Sequence, residues 1–141
     1  MTMKKFEFKK TYEEIDLAGK VFKIDFSDGA IIEYNRKLEH YYIESQKLTK
    51  PNVNELTQAE QIELFNKSRD LAKRTTDAIL GAGAFEYLYE QSGNSLMNMI
   101  DVLAFLGDII VERLDKIKQK EVQKFQGLKV KNVHANVSPR K

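Results

Sequence analysis

The sequence has no cysteine, two histidines and two prolines among its 141 residues. Without cysteine there is no disulfide, no thiolate nucleophile and no thiolate metal ligand, and an intracellular site is allowed. Two histidines, His40 and His134, leave little material for metal or nucleophilic catalysis. His40 and Glu44 stand four residues apart and could reach one ion. A zinc site takes three or four ligands, however, and no further ligand lies nearby, so a surface histidine beside a carboxylate is the better reading. His134 falls in the basic C-terminal segment and reads as solvated. No apolar run approaches the roughly 18 residues of a membrane span. The longest, residues 102–107, is cut off by Asp101 and Asp108. The N-terminal ten residues are basic but hold no apolar run of the signal-peptide kind. Charge of one sign is also lacking overall, since the net charge is only +2. It is uneven, however: residues 116–141 carry eight Lys or Arg and a single acid, Glu121.

Other chemical constellations also have bland readings. Gly81-Ala82-Gly83 follows a helical pattern rather than a strand and lacks the Gly-Lys-Ser/Thr ending, so it reads as a helix–helix turn and not a phosphate loop. Asp101 and Asp108, two turns apart on one helix, read as its polar edge rather than an acid–base pair. The aromatic clusters Tyr34, Tyr41, Tyr42 and Phe85, Tyr87, Tyr89 would need interleaved cations to stack nucleobases. Glu86 and Glu90 flank the second cluster, so both read as packing. No enzyme, cofactor or metal is expected.

What is present is a pattern of elements. Apolar residues make up 42% and charged residues 31%, enough for a real core under well-solvated helix faces. Phe6 and Phe8 alternate with charged residues, Ala18-Gly19 is a turn signal, and Phe22, Ile24 and Phe26 recur with period two. This predicts a β-hairpin over roughly residues 6–26 whose Phe22, Ile24 and Phe26 face helices. A lone hairpin is marginal, so it must pack on the body or on another chain. Ser27 or Asp28 then caps a helix with Ile31, Tyr34, Leu38, Tyr41 and Leu48 on one stripe. That helix stops near Thr49, because Lys50 precedes Pro51. Residues 51–54 read as loop. Thr57 and Glu60 form a capping box for a second helix through Ile62, Phe65, Leu71, Ala72 and Ile79. The stretch Gly81-Ala82-Gly83-Ala84 breaks it. A short helix over residues 85–89 follows, ending at Ser92-Gly93.

The organising stretch is residues 95–126. Ser95 is a good N-cap. Leu96, Ile100, Leu103, Ile110, Leu114 and Ile117 form one stripe, with Gly107 as a point of close helix approach. Met99, Val102, Leu106 and Ile109 form a second stripe in the first half only. A helix apolar on two stripes either sits in the core or shares one stripe with another subunit. Its back half, from Glu112, should be amphipathic and projecting. The expected fold is α+β but mainly α-helical, an N-terminal hairpin packed on three to four helices, the last one long. The expected organisation is one domain over residues 1–127 and a flexible basic tail over residues 128–141. The expected oligomer or partner surface is Met97, Met99, Ile100, Leu103, Leu106, Ile110, Leu114 and Ile117. Lys116, Lys118, Lys120 and Lys124 would supply electrostatic contacts.

Residues 22–28, Phe-Lys-Ile-Asp-Phe-Ser-Asp, run directly into Ile32-Glu33-Tyr34-Asn35-Arg36-Lys37-Leu38. This opening resembles that of the small tail assembly chaperones encoded by phages and prophages of Gram-positive bacteria. The helix around Ile100-Asp101-Val102-Leu103 and the charged tail are also similar to that family, and the resemblance spans roughly residues 6–125. It is a pattern of apolar and charged positions rather than a signature, and it carries over no individual functional residue. The resemblance implies a non-enzymatic, cytoplasmic helper in the bacterial host cell. Such a protein would bind the long, apolar, helical tape-measure protein and recruit tail-tube subunits, self-associating as it does so. Many family members are also made in a frameshifted longer form. The alternative reading is a small nucleic-acid-binding regulator that uses the basic C-terminal segment.

Overall fold

The computed structural model describes the backbone of residues 3–137 and side chains through residue 126. Two antiparallel strands, β1 (Tyr12–Leu17) and β2 (Lys20–Asp25), open the fold. They are followed by α1 (Asp28–Thr49), a 3₁₀ turn (Val53–Glu55), α2 (Gln58–Leu80), α3 (Ala84–Gln91) and the long α4 (Leu96–Val137). The expected hairpin followed by helices, the last of them long, is the fold of the chain. Its compact units divide at Gly107, one ending there and the other beginning at Asp108.

The hairpin closes on two residues, Ala18 (φ 53°) and Gly19 (φ 83°), both left-handed. That backbone matches the right-handed twist of the flanking strands, as a primed turn does. The Asp16 carboxylate accepts from the Gly19 N–H at 3.0 Å and steadies the turn. Pairing runs from Tyr12↔Asp25 to Leu17↔Lys20, with Ile15 opposite Phe22. Because strand side chains alternate, Ile15, Leu17, Phe22 and Ile24 share one face. Phe22, Ile24 and Phe26 are buried, as their spacing predicts. The strands begin at Tyr12 rather than near Phe6. Residues 3–10 have no regular structure, and Phe6 and Phe8 are exposed, their rings edge to face at 5.2 Å. The reason is topological: β2 ends at Asp25 and α1 starts at Asp28, so no strand remains to pair with residues 6–10.

Ser27 holds the N-cap position of α1 without capping it. Its hydroxyl donates instead to the Asp25 carboxylate at 3.0 Å. Asp28 lies in the first turn, where a negative charge suits the helix dipole. The end at Thr49 falls where Pro51 predicts it. Val53 and Asn54 of the expected loop, with Glu55, form the 3₁₀ turn, and the Asn52 side chain accepts from the Asn54 N–H. At α2 both halves of the capping box are made: Glu60 N–H donates to Thr57 Oγ1 (3.1 Å), and Thr57 N–H donates to Glu60 Oε1 (2.9 Å).

Helix α2 packs against α1, α3 and β2 and is the spine of the first unit. Leu71, Ala72 and Ile79 are buried, whereas Ile62 and Phe65, expected in the same helix, are exposed. The core gathers Phe22, Ala72, Phe85, Leu88, Met99 and Leu103. Thr75 and Thr76 are buried with it. The Thr75 hydroxyl donates to the Leu71 carbonyl, while Thr76 Oγ1 has no hydrogen-bond partner among the described residues.

The α2–α3 corner depends on Gly81 (φ 111°, ψ 160°), a conformation that side chains rarely tolerate. Gly83, the N-cap of α3, offers no side chain. Asp77 replaces it from the last turn of α2, its Oδ1 accepting from the Phe85 N–H at 2.8 Å. At the α3–α4 corner Ser95 Oγ accepts from the Asn98 N–H at 3.2 Å, as expected of an N-cap.

The burial of α4 follows neither of the two expected stripes. Met99, Leu103, Leu106 and Ile110 are buried at spacings of four, three and four, drawing members from each stripe. Ile100, one residue and about 100° from Met99, turns outward. At Gly107 an added Cβ would meet Leu38 Cδ1 of α1 at 3.9 Å, ordinary contact rather than a forced close approach. The helix also runs past Gly127, beyond the end expected at residue 126. One helical glycine costs only about 1 kcal/mol relative to alanine, too little to stop a helix by itself. The flexible tail expected over residues 128–141 lies outside the residues whose side chains are described, and residues 138–141 lie outside the described backbone as well.

Candidate functional site

The described residues hold no group of three or more His, Asp or Glu that could bind a metal ion. His40 is exposed. Glu44, its neighbour one turn on, instead bonds Lys47 at 3.0 Å, and that hydrogen bond holds its carboxyl below the usual glutamate range. Asp101 and Asp108 are both exposed. Tyr34 and Phe85 are buried, so neither aromatic cluster is an open stacking platform. Burial, and then the charge of Asp25, raise the Tyr34 phenol. Phe85 stacks on Tyr89 with ring centroids 5.1 Å apart.

Two concavities mark the first unit. One, of about 310 Å³, is lined by Asn66, Arg69, Asp70, Lys73, Phe85, Glu86 and Tyr89. Its charges are largely spent on each other. Lys73 bonds Glu86 at 2.7 Å, raising the lysine and lowering the glutamate, and Arg74 pairs with Asp70 at the edge. It contains no nucleophile and base in contact.

The other concavity is apolar, a groove of about 330 Å³. The end of α1 supplies Leu48, the connection supplies Pro51 and Val53, α2 supplies Leu64 and Phe65, and Leu96 comes from the first residue of α4. Gln61 ties the floor together, its amide donating to the Val53 carbonyl at 2.8 Å. Val53 is 51% exposed and Phe65 45% exposed, and Ile62 on the same half of α2 is also exposed. Arg69 lies over the Phe65 ring at 5.6 Å. Chemically the groove is lined mainly by apolar side chains and holds no reactive group.

The expected surface on α4 separates into two sets. Met99 (0% exposed), Leu103, Leu106 and Ile110 are buried, and these four belong to no open face. Met97 (79% exposed), Ile100, Leu114 and Ile117 are exposed. Lys116, Lys118, Lys120 and Lys124 are exposed, with Lys116 3.4 Å from Glu112 one turn back. Sequence reasoning missed the exposed Phe105, Val111, Val122 and Phe125, which interrupt the two-stripe pattern. It also missed the groove, because Leu48 and Val53 lie far in the chain from Leu96, and no local pattern joins them to Phe65. The only sequence signal was that Ile62 and Phe65 precede the part of α2 that packs.

None of the described helices is long and apolar enough to cross a membrane. No family model, no curated protein and no solved structure matches the chain.

Proposed function

We propose that this protein is a non-enzymatic assembly chaperone that self-associates and holds an apolar helical partner, of the kind encoded for phage or prophage tails. The observation that carries the reading is the open apolar groove between the end of α1, the first half of α2 and Leu96. A groove lined by leucine, valine and phenylalanine suits the apolar stripe of an amphipathic helix, a recurrent mode of peptide recognition. Many copies of one small protein would bind a long helix by avidity even if each groove binds weakly. The tape-measure protein is that partner in this reading, with tail-tube subunits recruited afterwards and the bacterial host cytoplasm as the site of action. The resemblance of residues 22–38 to tail assembly chaperones supports it, and so does the exposure of Met97 and Ile100 close in sequence to Leu96.

The test is co-expression with a phage tape-measure protein, followed by co-purification. Capture is expected, and Phe65→Asp should abolish it with the melting temperature nearly unchanged, because Phe65 is already half exposed. A chain that neither co-purifies with nor solubilises that protein would sink the reading. Tight binding to nucleic acid that falls steeply with salt would instead favour a regulator acting through the basic C-terminal segment.

A further inference from the structure

The second unit presents its own apolar face. Val111, Leu114, Ile117, Val122 and Phe125 are all exposed on α4. At about 100° per residue they occupy one broad arc, and Lys118 and Glu121 fall inside it. Five large apolar side chains on one exposed arc around two opposite charges suit a partner that covers both. The flanking charge is also polarised. Asp108, Glu112 and Asp115, with Arg113 among them, precede the arc's centre, whereas Lys116, Lys118, Lys120 and Lys124, with Glu121 among them, occupy and follow it.

We propose that residues 108–126 of two copies pair as antiparallel helices about a two-fold axis that passes between Gln119 and Lys120. In that register Leu114 lies level with the second copy's Phe125, and Ile117 with its Val122. Lys118 lies level with Glu121. Each match occurs twice, because a two-fold interface is self-complementary. The two charges inside the arc therefore neutralise each other across the axis. A parallel, in-register pair would set Lys118 against Lys118 and Glu121 against Glu121, which like-charge repulsion opposes. The occupant of this face is a second copy of the same chain, chosen by that charge pattern. The inference deepens the self-association of the proposed function and needs no other protein.

The absence of native cysteine makes the test clean. Two single variants, Leu114→Cys and Phe125→Cys, are purified separately and then mixed in air. A disulfide-linked dimer should form in the mixture and hardly at all in either variant alone. Within one helix these positions lie about 16 Å apart along the axis, so only antiparallel pairing brings them level. Cross-linking of Leu114→Cys alone as fast as the mixture would overturn the pairing in favour of a parallel one. Sedimentation equilibrium supplies the second arm. Lys118→Glu and Glu121→Lys should each weaken dimerisation by about tenfold, and the double swap should restore it. All four positions are exposed, so unchanged melting curves separate these effects from misfolding. Single swaps without effect on the dimer, or a chain monomeric at every concentration, would overturn the pairing. A monomer that still captured the helical partner would leave the partner reading standing, and a dimer that captured nothing would remove only that reading.

Discussion

The Tyr87 hydroxyl donates to the Ala18 carbonyl at 2.9 Å, joining α3 to the tip of a hairpin 69 residues earlier. The same ring meets Phe22 edge-on at 6.4 Å, and Lys20 Nζ lies 5.0 Å from its centroid. Strand β2, its turn and α3 are thereby fastened at one aromatic residue. This answers the weakness of an isolated two-stranded hairpin, which needs a helix to pack on. Tyr87→Phe keeps the ring contacts and removes only the hydrogen bond. It should cost about 0.5–1.5 kcal/mol in urea unfolding. A loss several times larger would mean that the hairpin detaches as a unit.

Ala18 itself is strained. A side chain at φ 53° costs energy that glycine or asparagine largely avoids. Ala18→Asn should therefore stabilise the protein by about 0.5–1 kcal/mol, since Asn-Gly is the preferred pair for this turn. A rise in the denaturation midpoint at constant slope would show it. An unchanged or lower midpoint would contradict the left-handed turn.

The Lys73–Glu86 pair links α2 to α3 and gives stability a signed pH dependence. The lysine hydrogen bond lowers the Glu86 carboxyl, so its contribution is present above the usual glutamate range and is lost as pH falls through the folded value. Glu60 behaves alike, lowered by the Thr57 backbone N–H and then its hydroxyl. Lys73 is raised by Glu86, so its contribution is present below the usual lysine range and is lost as pH rises through the folded value. Glu86→Gln should lower the melting temperature slightly at neutral pH, and the difference from the parent should vanish in acid. A difference that persists in acid would mean that packing, not charge, holds this corner.

The parts of the fold legible in sequence are those whose cause is local. Thr57 and Glu60 stand three residues apart and cap each other. Pro51 stops α1, and Ala18-Gly19 turns the hairpin. Features set by distant residues were not legible. Phe6 and Phe8 carry the strand period, but the chain turns into α1 before a strand can reach them. The cap of α3 comes from Asp77, whose position in sequence looks like any other helical aspartate. Along α4 the residues admit two stripes, and only packing against the rest of the first unit selects Met99 and Leu103 over Ile100. The apolar groove has the same origin, since its walls come from four separate elements.

Thr76 is a further consequence of packing. Its side chain is fully buried, and its hydroxyl lacks a partner among the described residues. Burying an unsatisfied polar group costs about 1–3 kcal/mol. Thr76→Val keeps the branched shape and removes the hydroxyl. It should raise stability by about 1 kcal/mol, read as a higher melting temperature. A lower one would show that the hydroxyl is satisfied in solution.

The selection among stripes on α4 gives the sharpest stability contrast. Leu103 is 3% exposed within the core that includes Phe22, Phe85 and Met99, whereas Ile100, less than one turn away, is 43% exposed. Truncating Leu103 to alanine removes buried methyl groups and leaves a cavity that the surrounding residues fill only in part. That should cost about 2–5 kcal/mol. Ile100→Ala removes a side chain that is largely in water and replaces it with a better helix former, so it should change stability by less than about 1 kcal/mol. The two variants should separate in function as well. Leu103→Ala should lower the melting temperature first and partner capture only through loss of fold. Ile100→Ala should melt like the parent, so any loss of capture would place Ile100 on the binding surface. Equal destabilisation by the two would mean that the buried face of α4 is wider than the spacing of Met99, Leu103 and Leu106 describes.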